Sequence, residues 1–175
     1  MSVQTRQPYP AEPGIIGTAK DGARVILTGM TPAAAADLGP KLAAIDPWAQ
    51  VNYSSEGFVN FLAAVEQGAS RYAIEVDGQL AGVMVVRIPW LHGPYLHLLG
   101  LLPGFQGRGI GDVGLRWLES KAIGHYRSLW LCVSGFNTGA RRFYEAHGFT
   151  RAGVLDSLVF DSMDEILMRK RVPPG

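Results

Sequence analysis

The sequence contains a single cysteine, Cys132, so it has neither an internal disulfide nor the paired thiolates of a zinc cluster. Its four histidines form no H-E-x-x-H pattern, and we expect no metal site. The 16 basic and 15 acidic residues give a net charge of +1, so no strong field favours a nucleic acid or an anionic membrane as partner. No apolar run reaches the ~18 residues of a membrane span, and the first residues lack a signal-peptide pattern. A cytoplasmic protein is the expectation.

The 175 residues, 47% of them hydrophobic, suffice for one domain of ordinary size with its own core. Residues 1–22 are rich in proline and glycine and lack periodicity, which predicts a flexible N-terminal arm before a single domain over 23–172. Apolar patterns predict strands over 24–28, 71–76, 79–88, 128–133, 151–160 and 165–171, and helices over 32–45, 55–67 and 137–147. The Asp77-Gly78 pair between two of these strands predicts a type I′ turn.

The stretch 95–114 reads as strand, turn and helix, and its second half contains Gly107, Gly109, Gly111 and Gly114. A helix that begins among glycines presents unpaired N–H groups and the positive end of its dipole, with no Cβ atoms to hold an anion away. This predicts a diphosphate site. The same letters also spell G-x-G-x-x-G, the dinucleotide motif. That motif needs an acidic residue about 20 positions further on, and none lies between Glu119 and Glu145.

Two motifs carry a resemblance to a known family. Residues 106–111, QGRGIG, fit the Q/R-x-x-G-x-G/A loop of the GNAT superfamily of N-acetyltransferases, and residues 137–149, NTGARRFYEAHGF, are similar to its N-x-x-A-x-x-F-Y-x-x-x-G-F segment. The resemblance implies an α/β fold with a central mixed, mostly antiparallel sheet of about seven strands flanked by four helices. It also implies direct transfer of an acetyl group from acetyl-coenzyme A to a primary amine.

The resemblance further implies roles for individual residues. Tyr144 would be the general acid that protonates the leaving thiolate, although the helix spacing alone favours a core tyrosine with its hydroxyl at the edge. Asn137 matches a coenzyme ligand or is simply a helix cap. The coenzyme-binding residues expected on these grounds are Leu99, Leu101, Gln106, Gly107, Arg108, Gly109, Ile110, Gly111, Asn137, Arg141 and Tyr144.

The base that deprotonates the amine is less clearly marked. Side chains alternate along a strand, so His97, Leu99 and Leu101 are expected to share one face, with the backbone N–H of Leu101 at the family's acetyl-carbonyl position. His97 is therefore the candidate base, against the alternative of a buried structural histidine. Glu75 is a second, weaker candidate. Cys132 lies in an apolar strand, which favours an inert thiol over an acetyl-enzyme nucleophile.

The acceptor is predicted from aromatic residues in the loops where this fold binds substrate. Trp48, Tyr53, Trp90 and His92 suggest an aromatic, largely uncharged pocket, although the same residues suit core or homodimer contacts. The loops carry little acidic charge, which disfavours a polyamine and leaves a small-molecule amine or a peptide N-terminus. A non-catalytic acyl-coenzyme A sensor or interaction module of the same fold is the alternative.

Overall fold

The computed structural model describes residues 14–173, which form one mixed sheet of eight strands flanked by four α-helices. The strands are β1 (Gly14–Thr18), β2 (Arg24–Gly29), β3 (Ala69–Val76), β4 (Gln79–Trp90), β5 (Gly93–Leu101), β6 (Ser128–Ser134), β7 (Thr150–Phe160) and β8 (Met163–Arg171). The helices are α1 (Pro32–Ala43), α2 (Ser55–Ala63), α3 (Ile110–Ala122) and α4 (Thr138–Ala146), with a 3₁₀ turn at Ala49–Val51. No helix in these described residues is long and apolar enough to cross a membrane.

The strands lie in the order β1-β2-β3-β4-β5-β6-β8-β7. β5 and β6 run parallel, whereas the other neighbouring pairs are antiparallel. The parallel pair is joined by α3, because parallel neighbours need a long crossover connection. The α/β class and the mixed sheet predicted from the sequence are confirmed, with eight strands in place of about seven.

Each face of the sheet has its own core. On the back face, α3 and α4 pack on residues such as Met84, Leu96, Leu131 and Met168. On the front face, α1 and α2 cover residues of β3 and β4, including Ala73, Val83 and Val85. The front face of β6 and β8 lies beyond these two helices, and this asymmetry leaves room there for a site.

The structure agrees with the sequence at the start of α1 and at the β3–β4 turn, and differs at the ends of α1 and α2. Thr31 Oγ1 accepts a hydrogen bond from the N–H of Ala34 at 3.1 Å and Pro32 follows it, as the sequence predicts for the start of α1. Asp77 and Gly78 both have positive φ, 49° and 79°, as a type I′ turn requires. Helices α1 and α2 end two and four residues earlier than predicted, at Ala43 and Ala63 rather than at 45 and 67.

The clearest difference lies in the region predicted to be an arm. Residues 14–18 form β1, which pairs with β2, and 19–23 form the turn between them, so the arm predicted over 1–22 is wrong for residues 14–22. Residues 1–13 lie outside the described part of the chain. Three glycines in this stretch suggested an irregular segment, but an edge strand needs only one partner and tolerates them.

The β4–β5 pair contains a bulge that positions the site. Val85 pairs with Leu98 and Val86 with Leu96, so His97 is an extra residue in β5. A bulge leaves its extra residue outside the ladder and reverses the alternation of side chains beyond it. Leu96 consequently packs in the back core, whereas Leu98 packs in the front core.

Helix packing on the front face makes a test of the fold possible. A Cβ added at Gly39 of α1 would lie 2.6 Å from Val59 Cγ2 and 2.9 Å from Val59 N in α2. We expect Gly39→Ala to lower the free energy of unfolding by about 1–3 kcal/mol, because overpacking outweighs the better helix propensity of alanine. Urea unfolding followed by circular dichroism measures this change.

The matched control is Gly114→Ala in α3. Its added Cβ would meet Leu99 Cδ1 at 3.9 Å and Met84 Sδ at 4.0 Å, which are ordinary contacts. This variant should be as stable as the parent or more stable by up to about 1 kcal/mol. Equal effects of the two substitutions would contradict the proposed close approach of α1 and α2.

Candidate active site

β5 and β6 diverge soon after they meet. Their ladder contains two pairs, Tyr95 with Trp130 and Leu96 with Leu131, and beyond these the strands separate. A cavity of about 440 Å³ lies at this divergence. Most of its lining is apolar or aromatic. The lining residues come from β5, β6, β8, the α1–α2 region, α4 and the end of β7. They include Trp48, Tyr53, Phe61, His97, Leu99, Ser134, Asn137, Tyr144, Leu158 and Glu165.

Tyr144 reaches this cavity from α4. Its ring packs edge-on against Phe143 and Phe149, with centroids 5.3 Å and 5.9 Å away. Burial raises the pKa of its hydroxyl to about 12, so the phenol keeps its proton at neutral pH.

Asn137 starts α4, because its Oδ1 accepts the N–H of Ala140 at 3.1 Å. Its capping role is therefore present, and its side chain also lines the cavity.

The glycine-rich loop leads directly into α3. Gly107 and Gly109 have φ of 74° and 80°, and Gly109 caps the helix without any side-chain hydrogen bond. The first N–H groups of α3 are therefore left for an outside acceptor. Gln106 Nε2 donates to the carbonyl of Leu101 at 2.9 Å, and the side chain of Ile110 is only 1% exposed in the back core. Ile110 can therefore offer a ligand only its backbone.

The turn between β1 and β2 fixes the glycine loop. The N–H of Lys20 donates to the carbonyl of Arg108 at 2.9 Å, and Arg108 Nε donates to Asp21 Oδ2 at 2.7 Å. The aliphatic part of Lys20 lies over Gly109, where an added Cβ would come within 3.0 Å of Lys20 Cγ. Lys20 thus adds a cation beside the start of α3. Sequence reasoning missed it, because no periodic pattern surrounds this turn.

A second contact ties α3 to α4. His147 Nε2 lies 2.6 Å from Asp112 Oδ1, and His147 Nδ1 lies 2.7 Å from the carbonyl of Phe143. The ring of Phe143 also lies against Gly111, where an added Cβ would meet it at 3.1 Å. The helix that carries Tyr144 is therefore held against the start of the helix that carries the glycine loop.

His97 does not lie where the alternation predicted. Because of the bulge, its ring packs against Phe61 of α2 on the front face, at 5.0 Å between centroids, whereas Leu99 and Leu101 pack in the back core. The expectation that these three residues share one face is wrong. Leu101, whose N–H was expected to meet the acetyl group, does not line the cavity.

The surroundings of His97 also disfavour a role as base. Arg87 Nε donates to His97 Nδ1 at 2.8 Å, so in the neutral ring the proton is on Nε2. Burial, together with the nearby Arg87 and Arg71, lowers the pKa of His97 to about 4. Neither nitrogen then has a free lone pair at neutral pH. Glu75, the weaker candidate, accepts from Thr28 Oγ1 at 2.9 Å and does not line the cavity.

The predicted acceptor residues divide into two groups. Trp48 and Tyr53 line the cavity, where both rings pack on Phe58 at 5.3 Å and 4.6 Å. Trp90 and His92 do not line it. Trp90 instead packs on Tyr95 and Trp130, at 4.7 Å and 5.5 Å, and His92 is exposed in the turn before β5 with φ of 61°.

The cavity also contains a polar group that sequence reasoning missed. Glu165 of β8 is only 8% exposed, and Ser134 Oγ donates to its Oε1 at 2.6 Å. Burial raises the pKa of this carboxyl, an effect that the Ser134 bond opposes.

Cys132 is hydrogen-bonded to Tyr95, and burial raises the pKa of its thiol, in keeping with an inert cysteine. No group of three metal-ligating side chains occurs among residues 14–173.

A mixed sheet split between two strands, with a glycine loop at the start of the crossover helix, defines a class of acyl-transferring proteins. The chain belongs to the acetyltransferase (GNAT) family, whose sequence model matches residues 41–149. The family assignment made from the two motifs is confirmed.

Individual known proteins are similar to a part of this chain or to its fold. Mycothiol acetyltransferase of Beutenbergia cavernae is 35% identical over 82 residues, which are 45% of this chain and only 27% of that relative's length. A Thermus thermophilus acetyltransferase structure has a TM-score of 0.68 at 19% identity and covers 91% of this chain and 100% of its own. The Escherichia coli ribosomal-protein-S18-alanine N-acetyltransferase has a TM-score of 0.63 at 20% identity, with coverages of 86% and 96%. At these identities the two structures show the fold alone.

The position of His97 predicts a pH-dependent stability. Its pKa is about 4 in the folded chain against 6.5 for an ordinary histidine, so between these values the unfolded chain binds a proton that the folded chain does not. The free energy of unfolding is therefore unaffected by His97 protonation above pH 6.5, and it decreases as the pH falls from 6.5 toward 4. We expect His97→Gln, which keeps an acceptor for Arg87, to weaken the acid-induced fall in the free energy of unfolding.

Urea unfolding at a series of pH values measures that slope. His125→Gln serves as the control, because His125 is exposed in the segment after α3. Identical slopes for the parent and His97→Gln would show that His97 is not held neutral by its surroundings.

Proposed function

We propose that this protein transfers an acetyl group from acetyl-coenzyme A to a primary amine. The observation that carries the proposal is the position of Tyr144, a protonated phenol that lines the cavity between β5 and β6 and is joined through α4 to the glycine loop. The acetyltransferase description of the family and of the relative that is 35% identical supports the group that is transferred.

The residues beside the glycine loop fit a coenzyme with phosphates. The uncapped start of α3 and Gly107 to Gly111 supply backbone N–H groups and the positive end of a helix dipole for the pyrophosphate. Lys20 adds a cation at the same place. On α4, Arg141 Nε is buried without a hydrogen-bond partner among the described residues, and the guanidinium of Arg141 is a further candidate for a phosphate of the coenzyme.

The cavity then supplies the groups that acetyl transfer needs. The coenzyme brings an acetyl thioester, and Tyr144 holds a proton for the sulfur that leaves. The bulge at His97 removes a backbone N–H from the β4–β5 ladder beside the cavity, where it can stabilise charge on the carbonyl oxygen. Asn137 and Leu99, on either side of the divergence, border the coenzyme arm. Tyr144 is thus a catalytic residue in this proposal, and His97 contributes its backbone.

The glycine loop can be tested by binding. We expect Gly109→Asp to weaken acetyl-coenzyme A binding at least about tenfold, or 1.4 kcal/mol, because the new carboxylate repels the diphosphate and fills the space beside Lys20. Isothermal titration calorimetry measures the dissociation constant directly.

Gly78→Asp is the matched control for this variant. Gly78 has nearly the same φ, 79° against 80°, and lies in the β3–β4 turn away from the cavity. It carries the same backbone strain and the same added charge. Equal coenzyme affinity in the two variants would contradict the assignment of the loop.

Tyr144 can be tested by turnover. We expect Tyr144→Phe to lower kcat by about 100-fold or more, the size of a general-acid contribution, with an unchanged dissociation constant for acetyl-coenzyme A. Release of free thiol measures the rate, and Tyr126→Phe removes a hydroxyl outside the cavity as a control. Undiminished turnover would make Tyr144 a core residue, and coenzyme binding without turnover in the parent would favour the non-catalytic sensor.

A further inference from the structure

Glu165 lies on the side of the sheet opposite α3 and α4. The register pairs Tyr95 with Trp130 and Ser134 with Glu165, and side chains alternate along β6. Tyr95, Cys132, Ser134 and Glu165 therefore share the front face, whereas Leu131 and Val133 enter the back core. Tyr144 reaches the cavity from the helices on the back, so the two groups approach it from opposite faces.

The carboxylate of Glu165 is held in one orientation. Ser134 Oγ donates to Oε1 at 2.6 Å, and no described residue donates to Oε2. The groups around it are Tyr95 and Cys132, which are hydrogen-bonded to each other. Burying a carboxylate with one partner is costly, and such groups occur where function requires them.

The other charged residue of the cavity lining is already neutralised. Arg87 donates from Nε to His97 and from its two terminal nitrogens to the carboxylate of Glu66. Those hydrogen bonds lower the pKa of Glu66 to about 2, so it remains ionised. Among the described lining residues, Glu165 is thus the acidic group that has no cationic partner.

We propose that Glu165 binds the ammonium of the acceptor and removes its proton, and that the acceptor is a primary amine with one positive charge on an apolar, aromatic-sized body. This inference rests on the proposed acetyltransferase function and names the base and the substrate class for it. Ser134 is a positioning residue, because it acts through Glu165.

The step balances as follows. The ammonium R–NH₃⁺ gives one proton to the Glu165 carboxylate, and the neutral nitrogen forms a bond to the acetyl carbon. The C–S bond breaks, its electron pair stays on sulfur, and Tyr144 gives the sulfur a proton. The second proton of the nitrogen restores the Tyr144 hydroxyl, and the proton on Glu165 leaves to solvent. The products are the amide, the coenzyme thiol and one proton.

The cavity walls define the body of the acceptor. Apart from Glu165 and Arg87, much of the cavity lining consists of rings and aliphatic chains, among them Trp48, Tyr53, Phe61 and Leu158. The second ammonium of a polyamine would lie against apolar groups there. The carboxylate of an amino acid would face Glu165, and Arg87 is already engaged. The cavity of about 440 Å³ also has to hold the end of the coenzyme arm, which favours an acceptor as small as a single aromatic ring with a short chain.

Amine binding tests the inference without any turnover. 2-Phenylethylamine, titrated into the protein with coenzyme A present, should bind the parent and bind Glu165→Gln at least about tenfold more weakly, a loss of 1.4 kcal/mol. Glu75→Gln is the matched control, since Glu75 also accepts from a hydroxyl on a strand but lies outside the cavity. Equal binding by the two variants, or no binding by the parent, would overturn the proposal.

Turnover tests the proton transfer. At pH 7, Glu165→Gln should lower kcat/KM for 2-phenylethylamine by about 100-fold or more. It should affect 2,2-difluoro-2-phenylethylamine less, because the two fluorines lower the pKa of its ammonium and a much larger fraction of that amine is already neutral. Ser134→Ala should move the acidic limb of the parent's pH profile to higher pH, because the hydrogen bond it removes lowers the pKa of Glu165. Tyr95, Cys132, His97 and Arg87 line the same cavity, and burial raises the pKa of the Tyr95 hydroxyl and of the Cys132 thiol, away from this acidic limb. Equal losses for both amines would overturn the assignment of Glu165 as base.

A comparison of three amines tests the proposed substrate class. L-Phenylalanine, which adds a carboxylate to 2-phenylethylamine, and spermidine, which adds cations, should both be turned over less efficiently than 2-phenylethylamine. A preference for either would contradict the substrate class. If the parent binds the amine through Glu165 but transfers nothing, the acetyltransferase proposal fails while the amine site stands.

Discussion

The short parallel ladder between β5 and β6 is the constraint on which the site depends. Two residue pairs hold these strands together, and beyond them the strands separate. A backbone that leaves its ladder within a sheet must find other partners for its polar groups. Here the opening becomes a passage through the sheet, because the bulge at His97 turns β5 at the same level. A thioester on the helical side and an amine on the open side can meet there without either crossing the sheet.

The charges of the site are arranged around this passage. On the α2 side, Glu66 binds both Arg71 and Arg87, and burial together with these two arginines keeps His97 neutral. This arrangement keeps positive charge away from an incoming ammonium, since both guanidinium groups are already paired. On the α3 side, Lys20 and the helix dipole favour phosphate. Opposite charges are thus separated by the sheet, and each of the two proposed ligands meets the sign that it requires.

The sequence predicts the features that are set locally. The glycine loop and the Asn137 cap depend on residues a few positions apart, and both form as expected. The bulge at His97 depends on register across two strands, and an alternating pattern gives no sign of it. Glu165 was missed for a similar reason: in the run DEILM it is indistinguishable from a strand-end charge, and its significance comes from Ser134, thirty-one residues away. Lys20 likewise depends on contact with a distant loop.

Most of the residues that the sequence predicts belong to the proposed coenzyme site, and most of those that it misses belong to the proposed acceptor site. The proposed coenzyme site is built from two short motifs at the starts of α3 and α4, whose residues lie close together in the sequence. The proposed acceptor site instead draws on separate elements: Trp48 after α1, Phe61 in α2, and Leu158 and Val159 at the far end of β7, where the pairing with β8 is interrupted. Both β7 residues are exposed and can change without disturbing either core. The size of the acceptor can therefore change through these peripheral residues, while Tyr144 and Glu165 stay fixed by the sheet and α4.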